Sequence, residues 1–125
     1  NARWKFTFCD EGQILENVVF NELCYNGYSV SVGSFDTIIK NDAGKSERRT
    51  NEVDFYATKG NRMYYIQVTA DLNDEKTRAR EIRPFMLLND QIQKIIVVNK
   101  PINETRDENG FTVIGIADFL LRFIK

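Results

Sequence analysis

The order of elements predicts an α/β domain with a mixed β-sheet flanked by helices, and three observations carry that prediction. Two strand-like segments, Glu52–Thr58 and Arg62–Thr69, flank Gly60-Asn61, a dipeptide suited to a tight hairpin turn. Lys94–Asn99 reads Lys-Ile-Ile-Val-Val-Asn, apolar without alternation, as in a strand buried on both faces. Segments of helical periodicity precede the hairpin and separate it from that strand, the alternation of a layered α/β fold.

Taken in order, Asn1-Ala2 reads as a remnant of tag cleavage. Arg3-Trp4-Lys5-Phe6-Thr7-Phe8 alternates like a strand and begins abruptly, as in a fragment of a longer protein. Residues 3–125 are therefore expected to form one domain, cut from the carboxyl end of that protein. Gln13–Asn26 is predicted helical, with Ile14, Leu15, Val18, Val19 and Leu23 spaced to line one buried face. Gly27 follows as a left-handed cap, and Tyr28–Gly33 alternates as a strand. Asn41–Asn51 is polar and reads as a loop or a flexible hairpin tip. Asn73 or Asp74 caps a helix running towards Leu88, which Pro84 is expected to kink or restart. Phe111–Gly115 is a last strand, and Ile116–Ile124 a short amphipathic helix.

Composition removes several functional classes. Val, Ile, Leu and Phe supply 37 of 125 residues, too many for a disordered chain. A net charge of −1 makes the surface as a whole no magnet for nucleic acid or membrane. With no histidine, these residues form neither the usual Cys/His zinc site nor a Ser-His or Cys-His nucleophile pair. The chain holds no apolar run approaching the ~18 residues of a membrane span. Its opening residues lack the pattern of a signal peptide, and two cysteines make no disulfide framework. The expectation is a cytoplasmic protein with no membrane partner.

The residues that could carry chemistry are Glu16, Asp54, Gln67 and Thr69. Asp54 is a charge inside a strand, between Val53 and Phe55. If Gly60-Asn61 is the turn, Lys59 faces Arg62 and, counting outward, Asp54 faces Gln67. The plain alternative is that Asp54 is a solvated edge residue and Glu16 lies on a solvated helix face.

Helix Glu16, strand Asp54 and strand-end Gln67-Val68-Thr69 resemble the restriction-endonuclease-like superfamily, whose pattern is helix-Glu, strand-Asp, then Glu-x-Lys. The wider series is Leu15–Leu23, Asn51–Phe55, Tyr65–Val68 and Glu81–Pro84. It resembles an uncharacterised domain at the carboxyl end of prokaryotic AAA-type ATPases, over roughly residues 5–121. The resemblance implies a restriction-endonuclease-like fold, an ATPase module upstream and a centre descended from a Mg²⁺-dependent nuclease. Two departures imply lost catalysis. Gln67 removes a metal-binding charge and Thr69 removes the lysine, leaving Asp54 and Glu16 as weak Mg²⁺ ligands with a Gln67 carbonyl to help. The expected role is an accessory or binding domain that meets its own ATPase module, DNA or a protein partner. The alternatives are a Mg²⁺-dependent DNA nuclease with an altered motif and a domain that only packs on the ATPase.

Lys76, Arg78, Arg80 and Arg83 crowd one predicted helix and read as either a phosphate-binding surface or a solvated face. Lys45, Arg48 and Arg49 sit in the polar segment and read as a DNA-touching arm or as solubilising charge. Gly44-Lys45-Ser46 lacks the first glycine of a phosphate-binding loop, so nucleotide binding there is rejected. The aromatics are spread through the predicted elements and read as core.

Overall fold

A computed structural model describes residues 11–125; the strand predicted at Arg3–Phe8, and Cys9, lie outside the described residues. The chain runs α1 (Glu11–Tyr25), β1 (Ser29–Lys40), β2 (Ser46–Lys59), β3 (Arg62–Thr69), α2 (Glu75–Leu87), β4 (Gln93–Val98), β5 (Thr105–Arg106), β6 (Thr112–Gly115) and α3, which starts at Ile116–Asp118. The six strands form one mixed sheet in the order β1-β2-β3-β4-β6-β5. Strands β3, β4 and β6 are parallel, while β1–β2, β2–β3 and β5–β6 are antiparallel.

The local signals act where the sequence placed them. Gly27, at φ 87°, lets Tyr28 N–H reach Leu23 C=O and Gly27 N–H reach Cys24 C=O, which satisfies the last carbonyls of α1. Gly60, at φ 60°, is the first central residue of the hairpin turn and sets Lys59 opposite Arg62. Asp74 caps α2 through its side chain to the Lys76 N–H.

The sheet buries both faces. On one, Leu15, Val19 and Leu23 of α1 pack with Ile66, Val68, Ile95, Val97, Ile114 and Phe119. On the other, Phe85 of α2 packs with Val53, Ile96, Val98 and Phe111, its ring meeting Phe111 edge-on at 5.3 Å. Successive residues of β4 enter opposite cores, hence its unbroken apolar run.

Several expectations need correction. Ile14 and Val18 are exposed, because the stripe that meets the sheet is only as wide as Leu15, Val19 and Leu23. Strand β1 continues past Gly33 to Lys40, and Ser46–Asn51 is strand, so only the turn separates two long strands there. Polar side chains conceal this because both faces of that ribbon are largely exposed. Pro84 does not restart α2, which runs unbroken to Leu87. It lies in the last turn, where its missing N–H costs one bond and little helix follows. The closing helix winds into a wide π-type turn over Phe119–Phe123, with Ile124 N–H reaching back to Phe119 C=O, and this buries both Phe119 and Ile124. The two-residue strand β5 carries no sequence signal.

One irregularity positions the site. The β1–β2 register shifts between Ser31 and Gly33, so Val32 faces both Asp54 and Phe55. This bulge reverses the inside–outside alternation of β2: Val53 enters one core, while Phe55 and Ala57 join the other.

Candidate functional site

The site lies where β2 parts from β3. The backbone ladder runs from Lys59–Arg62 to Phe55–Ile66. At the next position side chains take over. Gln67 Oε1 accepts the Asp54 N–H at 2.8 Å, and Asp54 Oδ2 accepts the Val68 N–H at 2.8 Å. Each residue thus satisfies a backbone donor of the opposite strand. Gln67 Nε2 also donates to the Glu81 C=O of α2 at 3.0 Å. The two partners fix the orientation of the amide, since an N–H must meet the oxygen and a C=O must meet the NH₂. Gln67 is only 5% exposed, and both ends of its carboxamide are used. It fastens β2, β3 and α2 together as a clasp.

Burial pushes the Asp54 carboxyl above its ordinary range, with help from the nearby Glu52 charge, while the Val68 N–H pulls the other way. Burial also raises Glu81; repulsion from Asp54 adds to it and the neighbouring Arg80 opposes it. The region therefore disfavours further negative charge.

Beside the clasp opens a cleft of about 420 Å³, bounded by Glu16 of α1, Thr69 at the end of β3, and Thr77, Arg80 and Glu81 of α2. Glu16 and Thr69 are brought together there, whereas Asp54 and Gln67 are not among its lining residues. Thr69 is buried and its hydroxyl donates to the Asp71 C=O at 3.2 Å.

Two of the oxygens expected to hold a Mg²⁺ ion are engaged within the protein. Gln67 Oε1, expected to complete a metal shell, accepts a backbone N–H instead, and Asp54 Oδ2 does the same. Among the described residues no group of three Asp, Glu or Cys side chains is placed to hold a metal ion.

The cations of α2 divide. Arg78 turns to the β5–β6 hairpin, pairing with Glu108 at 3.3 Å and approaching Asp107 at 3.9 Å. Lys76, Arg80 and Arg83 are exposed, and helical spacing puts them along one side. Arg48 belongs to β2 and lies 3.5 Å from Asp36 of β1. Glu81 belongs to the site without having been singled out by any motif. The available signal was its i, i+4 spacing from Thr77, which puts both on one face of α2.

The family model described as "Domain of unknown function (DUF4143)" matches residues 11–119, nearly the whole described chain. The chain belongs to the DUF4143 family. It is also similar to an uncharacterized protein of Haemophilus influenzae, 32% identical over 108 residues, which cover 86% of this chain. That stretch is 23% of the relative's length, so this DUF4143 chain spans about a quarter of the curated relative it matches. No solved structure matches it.

Proposed function

We propose that this DUF4143 domain is a non-catalytic accessory or binding domain, in which a nuclease-like centre serves as a structural clasp. The observation that carries the reading is the double use of Gln67, whose carbonyl closes the β2–β3 ladder and whose amide holds α2. A carboxylate at this position could not donate to Glu81, and it would add charge where Asp54 and Glu81 already resist it. Thr69 supplies no cation, and its hydroxyl is spent on the Asp71 backbone. The restriction-endonuclease-like assignment belongs to this proposal. It is supported by the helix-Glu, strand-Asp and strand-end order and by the bulge that sets Asp54 beside the fork of two strands.

An AAA-type ATPase module in the same protein is the proposed setting. Its support is the motif series and the small share of the H. influenzae relative that the match occupies. The test is a cleavage assay on plasmid and duplex DNA with Mg²⁺ or Mn²⁺ at neutral pH. No cleavage above that of an Asp54→Ala control is expected. Cleavage that disappears in that control would overturn the proposal in favour of a nuclease with an altered motif.

A further inference from the structure

Strand β1 is an outer strand of the sheet, and among the described residues nothing pairs with its free side. Beyond the fork, Ser46–Val53 of β2 pair with β1 alone, because β3 meets β2 only over Phe55–Lys59. Residues 34–40 and 46–52 thus form a two-stranded ribbon. Such ribbons are marginal in water without a third strand or a packing partner. Ile38, at its middle, is 67% exposed.

The hydrogen-bond phase of the ribbon determines which groups face outward. The Asn41 N–H donates to the Lys45 C=O at 2.9 Å, closing the tip as a hydrogen-bonded pair. Such pairs alternate along an antiparallel ladder. Ile39–Glu47, Thr37–Arg49 and Phe35–Asn51 are then the bonded pairs within the ribbon. The backbone N–H and C=O groups of Asp36, Ile38 and Lys40 point away from β2, at the open edge.

That triplet is complementary to itself. Antiparallel pairing of two β1 strands centred on Ile38 sets Asp36 opposite Lys40 of the partner subunit, and the reverse. Centring on Asp36 or on Lys40 would oppose like charges, and centring one residue earlier would leave both charges without a partner. All three facing positions carry outward backbone groups, so this register forms about six hydrogen bonds around a two-fold axis. We propose that the β1 edge of the ribbon is a homodimer interface, joining two copies of this chain by antiparallel β1–β1 pairing centred on Ile38.

The test is sedimentation of the 125-residue chain over a wide concentration range, with three variants. Wild type is expected to dimerise reversibly. Lys40→Glu opposes two carboxylates at each end and should weaken the dimer about tenfold. Asp36 also meets Arg48 within the ribbon, so adding Asp36→Lys and Arg48→Glu to Lys40→Glu restores opposite charges both across the axis and within the ribbon, and should recover the affinity. Ile38→Pro removes an outward donor that takes no part in the β1–β2 ladder, so it should abolish dimerisation while the thermal melt stays cooperative. A chain that remains monomeric at all concentrations overturns the proposal. So does a dimer whose affinity is unchanged in both Lys40→Glu and Ile38→Pro.

Discussion

Replacing Gln67 by Glu changes almost no volume and tests the clasp directly. In the wild type the Gln67 oxygen takes the Asp54 N–H at 2.8 Å and its NH₂ gives to the Glu81 C=O at 3.0 Å. A protonated glutamic acid reproduces both contacts, with its O–H in place of the amide donor. An ionised one cannot, and at 5% exposure it would be a poorly solvated anion near two carboxyls already raised by burial. The proton is therefore retained in the folded state, and the carboxyl at position 67 titrates above its unfolded value of about 4.3. Ionising it at neutral pH buries a charge and leaves the Glu81 C=O without its donor, a loss of about 2–3 kcal/mol. The folded state binds the extra proton, so stability falls as pH rises from about 4.3 through the raised folded value, then levels off. Below the unfolded value the variant should match wild type. In a domain of this size the loss lowers Tm by roughly 10 °C. The assay is thermal unfolding of wild type and Gln67→Glu across that pH range, with Gln67→Leu as the contrast. The leucine variant leaves a buried N–H and a buried C=O unpaired at every pH, so its deficit should be flat. A pH-independent deficit in Gln67→Glu, or none at all, would show that position 67 does not clasp β2 to α2. So would a deficit at neutral pH that Mg²⁺ removes.

Three further outcomes follow from the same geometry. Glu81→Gln should raise stability at neutral pH by about 0.5 kcal/mol, a value reduced for the solvent that reaches this half-buried group. The gain should vanish below the ordinary carboxylate range, because wild-type Glu81 is then protonated in both the folded and the unfolded state; denaturant melts at two pH values check this. Phe85→Ala should cost about 3–5 kcal/mol by emptying the centre of the α2-side core, where Phe85 is fully buried against Phe111, and urea unfolding measures it. Gly115→Ala should destabilise by more than about 2 kcal/mol, since an added Cβ would collide with the Lys100 C=O, backbone that cannot swing aside; the same unfolding assay reads it.

Much of the fold was legible where a local rule has one outcome. Gly60-Asn61 set the hairpin register, Asp74 the start of α2, Gly27 the end of α1, and the Ile95–Val98 run the two-faced burial of β4. The bulge was not legible. Val53, Phe55 and Ala57 look like one face of a strand, and only the shifted register assigns Val53 to the opposite core. The ribbon beyond Gly33 was hidden for a related reason: with both faces exposed, burial imposes no alternation on Ser46–Asn51. The candidate site was legible as a pairing of Asp54 with Gln67, because it depends on counting from the turn. Its role depends on where α2 carries the Glu81 carbonyl, a tertiary fact with no local pattern.

In the proposed clasp Gln67 joins β2, β3 and α2, and its carboxamide is spent on backbone groups instead of a metal ion. The most direct measurement is a Mg²⁺ titration of ¹⁵N-labelled protein followed by NMR, read at the Asp54 and Val68 backbone amides and the Gln67 side-chain NH₂. These three signals should stay in place, with the Gln67 NH₂ protected from solvent exchange by its bond to Glu81. Saturable shifts of all three with Mg²⁺, together with loss of that protection, would contradict the clasp and return the site to metal chemistry.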